Sequence, residues 1–325
     1  MRAKLMNLIN SLQVARSMNN NTPVLIIAGP TASGKSRLAI DVAQQLNGVI
    51  LNCDAMQIYK DIPIIAATPS AEEKQKAEHR LFELYECSKR GNVVEWLDLC
   101  VAEIKRCWQE KRLPIVVGGT GMYIDALING VTPIPEVPQE IRQQIQQKSL
   151  AERYAFLLQH DSLMAQKLHP NDSTRITRAM EIITFTGQTL TEWYQKPLIK
   201  KLPEANFTVV KIVPPLDIIE ERCKQRLDIM VYQQNALKEI QKLATMNLAS
   251  DLPAMKALGV PELMQYVQGK TTLQEAVALA KLHTRQYAKR QRTWLKNKLP
   301  ATLEFTTPYS GANDWPEKIK TMLDL

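Results

Sequence analysis

The sequence predicts an α/β protein, a parallel-sheet core built around a phosphate-binding loop and interrupted by an inserted all-helical domain. Three observations predict it. Residues 29–36 fit G-x-x-x-x-G-K-[ST] without mismatch, between an apolar run and a segment of helical spacing. Apolar runs of strand length recur at residues 49–53, 113–117 and 208–213. From Gln139 to Lys200 the composition turns Gln-rich and helical, with no convincing strand.

Taken in order, residues 1–21 contain Leu5, Leu8, Ile9 and Leu12 but are broken by asparagines, and read as a loose tail. Val24–Ala28 is a short apolar run of the β type. It leads into Gly29, Pro30, Thr31, Ala32, Ser33, Gly34, Lys35 and Ser36. In such a loop the glycines let successive N–H groups face one concavity, the lysine reaches into it, and the final hydroxyl can hold Mg2+. The next helix, with Leu38, Ile40, Val42, Ala43 and Leu46 on its apolar face, adds its positive end. The core is therefore expected to be of the P-loop NTPase type.

Val49–Cys53 reads as a second strand ending in Asp54-Ala-Met-Gln-Ile-Tyr. That places a carboxylate at a strand's C-terminal edge, where open α/β sheets bind ligands; a helix-capping aspartate is the alternative. Leu81–Tyr85 is a candidate strand, and Val94–Trp108 has helical spacing. Leu113–Val117 is a buried strand ending in Gly118-Gly-Thr-Gly-Met-Tyr123. A hydrolytic phosphate-loop enzyme usually ends such a strand in an acid; glycines and a hydroxyl suggest close approach of backbone to a ligand instead.

Three prolines in residues 131–138 break the rhythm, and Thr208–Val213 restores a strand. The expected division is a core of residues 22–130 and 206–325 with a helical insert at 131–205. In the insert, Arg175 and Arg178 share one helical face. Beyond it, Arg222 and Arg226 stand four apart on a helix and can point at one anion. The predicted helix Leu273–Lys298 carries seven cations and no acid after Glu275. That pattern favours contact with nucleic-acid phosphates over a merely solvated face. Tyr287 and Trp294 on it are expected as core anchors.

A 325-residue chain with 45% hydrophobic and 23% charged residues can bury a substantial core, and its formal charge of +8 suits a polyanionic partner. Five cysteines without a C-x-x-C pair point to a reducing compartment, and four histidines without zinc spacing give no structural metal site. No apolar run approaches the roughly 20 residues that span a bilayer.

Gly29-Pro-Thr-Ala-Ser-Gly-Lys-Ser36, Asp54-x-Met-Gln-Ile-Tyr59, Val117-Gly-Gly-Thr-Gly-Met-Tyr123, His169-Pro-Asn-Asp-x-x-Arg175 and Gln286-x-Ala-Lys-Arg-Gln-x-x-Trp294, in that order, resemble the tRNA dimethylallyltransferases. The resemblance spans residues 23–297. It implies transfer of a dimethylallyl group from dimethylallyl diphosphate to N6 of the adenine 3′-adjacent to the anticodon (position 37), with Mg2+. It implies Asp54 as general base and Thr120 as its catalytic neighbour, with residues 29–36, Arg222 and Arg226 on the diphosphate. Ser36 is then the metal ligand. It implies contacts to the tRNA anticodon stem-loop from Asp54, Ala55, Met56, Gln57, Thr120, Arg142, Thr174, Arg175, Ile176, Thr177 and Arg178, to which the basic helix adds Lys289 and Arg290. A cytoplasmic monomer is expected. The chain departs from the family pattern at Ala55, at Ile65-Ala-Ala-Thr-Pro69 and at Lys256-Ala-Leu-Gly-Val-Pro261. A small-molecule kinase, a silent RNA-binding protein and a free-adenylate prenyltransferase are the competing readings.

Overall fold

The computed structural model describes residues 22–311 and 313–323; the predicted N-terminal tail lies outside the described residues. The chain divides into two compact units, one running to Ile128 and resuming at Lys201, the other Asn129–Lys200.

The first unit is a six-stranded parallel sheet of β1 (Pro23–Ala28), β2 (Gly48–Asn52), β3 (Glu78–Arg80), β4 (Leu113–Gly118), β5 (Asn206–Ile212) and β6 (Leu303–Phe305), ordered β3-β2-β4-β1-β5-β6. β1 and β4 are buried along their whole length, as central parallel strands covered on both faces must be. Helix α1 (Lys35–Gln45) packs Leu38, Val42 and Leu46 into a core with Leu25, Ile27, Ile115 and Val210. β1 leads over β4 to β2, whereas β4 leads eventually to β5 on the other side. The β1/β4 boundary is thus the point where the winding reverses. Ala28 and Gly118 pair there in register, and the phosphate loop and the Gly-Gly-Thr segment leave the sheet side by side.

The expected strand at Leu81–Tyr85 is corrected. The third strand is Glu78–Arg80, because Leu81 and Glu83 adopt positive φ (68° and 53°) that no strand accommodates. Only an isolated bridge, Tyr59 to Tyr85, remains of that run. Around the sheet lie α2 (Ala71–Lys76), α3 (Val93–Gln109) and α4 (Gly121–Asn129).

The second unit holds α5 (Gln139–Gln146), α6 (Leu150–His160), α7 (Ser162–Lys167), α8 (Ser173–Thr186) and α9 (Leu190–Gln195). Leu157, Ile176, Ala179 and Ile182 form its core, and Ser149 and Thr189 start α6 and α9 with capping boxes to Glu152 and Glu192.

Past β5 come α10 (Leu216–Tyr232), α11 (Ala236–Thr245), α12 (Val260–Val267), the 26-residue α13 (Leu273–Lys298) and, after β6, α14 (Trp315–Met322). Thr272 and Glu275 cap α13. No helix among the described residues is long and apolar enough to cross a membrane.

Candidate active site

The site grows from the end of β1. Gly34 turns the chain into α1 at φ 92°, in the left-handed region that favours glycine, and Ala32 is held at φ 60°. The Gly29 N–H donates to Gly118 O at 3.3 Å, tying the loop to the end of β4. Side chains from α10 hold the loop's crown: Arg222 Nε donates to Ala32 O at 2.8 Å and Arg226 Nη1 to Thr31 Oγ1 at 3.4 Å. Lys35 Nζ reaches back to Pro30 O at 3.4 Å. Burial pushes the Lys35 ammonium down to about 8; Asp54 pulls it up and Arg226 pushes it further down. Three cations thus face one short loop, while Ser36 lies exposed in the first turn of α1. The buried Ser33 Oγ has no hydrogen-bond partner among the described residues.

Asp54 comes two residues after the end of β2, yet no helix starts there, which removes the capping alternative. It sits in a turn built by its neighbours. Its N–H donates to Asn52 Oδ1 at 2.8 Å, and its own Oδ1 accepts the Met56 N–H at 2.9 Å. Asn52, fully buried, also donates to Asp54 O and Leu81 O, both at 3.1 Å. The Ala55 N–H donates to Thr120 Oγ1 at 3.1 Å, so the residues expected as base and partner are brought together across the sheet's edge. Gly118 permits this approach, since a Cβ there would lie 2.0 Å from Cys53 O.

α13 closes the same site. Gln291, buried, accepts the Thr31 N–H at 3.0 Å and donates to Gly119 O at 2.9 Å. Tyr287 is corrected from a core anchor to a site residue. Burial first, then the Asp54 charge, raises its phenol to about 12, with Thr120 and Gln291 near enough to oppose the shift. Trp294 does pack, against Gly121, where a Cβ would lie 2.4 Å from the indole. Lys289 and Arg290 stay exposed, the Arg290 guanidinium 5.8 Å from the centre of the Tyr287 ring. Sequence reasoning assigned no role to Asn52 or Gln291. Each is a polar residue at a position whose periodicity calls for an apolar one, and that was the signal.

Gln57 donates its amide to Ala66 O (3.3 Å) and Ala67 O (2.7 Å), while Glu239 of α11 accepts the Ile64 and Ile65 N–H groups at 2.8 and 3.0 Å. Two of the departing segments meet here, since a Cβ on Gly259 would lie 2.9 Å from Ile65 Cδ1.

In the helical unit, Arg142 donates to Val137 O at 3.1 Å, Arg175 pairs with Asp172 at 3.4 Å, and Arg178 pairs with Glu181 at 3.3 Å. Thr177 Oγ1 accepts from Arg153 at 2.8 Å, Ile176 is core, and Thr174 is exposed.

A phosphate loop at the reversal point of a parallel sheet, ringed by cations and facing a carboxylate and a hydroxyl, defines an α/β enzyme of the phosphate-loop class that acts on a phosphorylated substrate. The comparisons carry this further. The IPP transferase family profile matches residues 57–298. The chain is 43% identical to the tRNA dimethylallyltransferase of Zymomonas mobilis over 85% of its length and 88% of that protein's. It is 40% identical to that of Rhodospirillum centenum over 87% and 91%. A eukaryotic dimethylallyltransferase acting on tRNA superposes with a TM-score of 0.77 at 27% identity, over 92% of this chain and 77% of the other. The full-length tRNA isopentenylpyrophosphate transferase of Bacillus halodurans gives 0.67 at 28% identity, over 94% and 96%. This chain belongs to the IPP transferase family.

Proposed function

We propose that this chain is a tRNA dimethylallyltransferase, moving a dimethylallyl group from dimethylallyl diphosphate to N6 of adenine 37, beside the anticodon. The observation that carries the reading is the juxtaposition of a cation-ringed phosphate loop with the Asp54–Thr120 pair, in a chain of this family.

Diphosphate leaves as the allylic C–O bond breaks, so negative charge grows at the loop. Its N–H groups, Lys35, Arg222 and Arg226 are placed to stabilise that charge. Adenine N6 is a weak nucleophile whose proton must go as the new C–N bond forms. Asp54 is the proton acceptor. Its Oδ1 is engaged by Met56, and Oδ2 accepts no hydrogen bond among the described residues, which leaves it available for the substrate. Thr120, accepting the Ala55 N–H, spends its own proton on the amine or the diphosphate.

The Ser36 hydroxyl fits Mg2+, which binds through few protein ligands and keeps phosphate oxygens and water. No group of three or more His, Cys, Asp or Glu that could hold a metal occurs among the described residues, so the diphosphate would supply the remaining ligands. When bound, Mg2+ neutralises leaving-group charge.

Ala55, Met56, Gln57, Arg142 and Thr174–Arg178 would hold the RNA, with Lys289 and Arg290 on its backbone; Arg175 and Arg178 must then exchange their acidic neighbours for phosphate. The target base must leave its stack to reach Asp54. We take the active unit to be a monomer. Incubating the protein with dimethylallyl diphosphate and unmodified tRNA, then digesting the RNA for mass spectrometry, tests donor, acceptor and position together. Unmodified adenine 37 after full incubation would overturn the reading.

A further inference from the structure

We propose that Gln291 is a positioning residue that sets the distance between the donor loop and the Thr120–Asp54 pair, so that one side-chain amide aligns the leaving group with the nucleophile. The proposal rests on the transferase reading above.

Both ends of the amide are used. Oε1 accepts the Thr31 N–H at 3.0 Å, and Nε2 donates to Gly119 O at 2.9 Å, one residue before Thr120. The side chain is 6% exposed, and the position admits no slack, since a Cβ on Gly119 would lie 2.4 Å from Nε2. A buried amide with both groups satisfied is a rigid spacer, and its loss strands a donor and an acceptor at once.

The phosphate loop gains a fixed shape from the same arrangement. A phosphate loop usually turns its N–H groups toward the anion. Here the Thr31 N–H already belongs to Gln291, the Thr31 hydroxyl to Arg226 and the Ala32 carbonyl to Arg222. The crown of the loop is therefore set from outside by α10 and α13. On the other side, Tyr287, one turn before Gln291, brings its phenol near both Gln291 and Thr120. Thr120 Oγ1 is already accepting from Ala55 N–H, next to Asp54. Hydrogen bonds thus run from Thr31 through Gln291 to Gly119, and the next residue along the chain, Thr120, accepts from Ala55.

The helix that carries Gln291 is itself fixed. Lys211 holds its C-terminal carbonyls, Arg292 Nε donates to Pro214 O at 2.9 Å, and Ala288 is buried against Ile219 and Cys223. Loop and acceptor site are thus referred to one rigid element.

The test is single-turnover transfer from dimethylallyl diphosphate to tRNA with both saturating, on the full chain. Gln291→Met keeps the volume and removes both hydrogen bonds. A misplacement of about 1 Å in a reacting geometry costs about a hundredfold, and that fall in rate is expected, with the tRNA dissociation constant within a few fold of wild type. Gln291→Glu supplies the readout that a packing role would not move. As a neutral acid it offers one acceptor and one donor, like the amide; as a carboxylate it confronts the Gly119 carbonyl. Its rate should therefore climb toward wild type as pH falls, against the wild-type profile, with the melting temperature above assay temperature throughout.

The proposal is overturned if Gln291→Met reacts at the wild-type rate, if its defect vanishes at saturating substrate, or if the Gln291→Glu profile parallels the wild type. Should the methionine variant fail to fold, the glutamate profile alone decides. Wild-type transfer in the same assay tests the function itself, so failure of the two claims is distinguishable.

Discussion

Lys211, buried in β5, donates its ammonium to the carbonyl of Leu299, the residue just after α13, at 2.9 Å, and to Leu295 O at 3.2 Å. A cation at a helix C-terminus satisfies carbonyls that have no partner within the helix and meets the negative end of its dipole. Glu304 of β6 completes the pairing at 2.9 Å. The basic helix is thereby tied to the sheet at its last turn.

Lys211→Met should cost about 2–4 kcal/mol of stability, because at least two buried carbonyls lose their donor. Urea denaturation followed by circular dichroism measures it. A loss below about 1 kcal/mol would mean that water replaces the ammonium and that the tie is weak.

Lys35→Ala should lower transfer more than about a hundredfold, since a contact to charge that develops in the transition state contributes roughly 3 kcal/mol or more. tRNA affinity should change little. The pH dependence follows from the lowered ammonium value of about 8 in the donor-free protein. The unfolded value is higher, so the charged lysine is a cost to the fold below about pH 8 that is relieved as pH rises toward 10.5. Diphosphate favours the charged form, so donor binding should take up a proton and weaken as pH rises past about 8. Calorimetry at pH 8.5 in buffers of different ionisation heat measures the uptake. Equal proton stoichiometry in wild type and Lys35→Met would remove Lys35 from the donor site.

Binding of tRNA should weaken steeply with salt, because each neutralised phosphate releases condensed counterion. Replacing Lys289 and Arg290 together with alanine should flatten the log-log slope by about 1–2. An unchanged slope would leave both residues as a solvated face of α13.

The parts of the fold visible in the sequence were those with a local signature. β1, α1, β4 and the full span of α13 follow from continuous apolar runs, a spaced motif and a helical charge pattern. β3 shifted by three residues because its neighbours Leu81 and Glu83 take left-handed backbone that residue type does not announce. β6 was not anticipated, being three residues held at the sheet's edge by β5. In the site, the loop, Asp54 and Thr120 were legible as motifs. The bond from Gln291 to Thr31 joins residues 260 apart, and no local pattern carries that information. Tyr287 was misread for a related reason. Its spacing is that of a core residue, and only the tertiary neighbours Thr120 and Gln291 make it part of the site.

Asp54→Asn should bind both donor and tRNA yet transfer very slowly. Adenine N6 needs a proton acceptor, and at the loop's edge of the sheet Asp54 is the carboxylate brought beside Thr120 by the turn after β2. The local geometry should survive the substitution. Asparagine's side-chain oxygen can still accept the Met56 N–H that Asp54 Oδ1 accepts at 2.9 Å, and the Asn52 and Thr120 bonds involve backbone at 54 and 55. What the amide cannot do is take the proton. General-base contributions run from about a hundred to ten thousandfold, which sets the expected loss in single-turnover rate at saturating tRNA and dimethylallyl diphosphate. Equilibrium binding of each substrate should stay within a few fold. If the asparagine variant instead transfers within a few fold of wild type, the carboxylate serves only to form the turn and the proton leaves by another route.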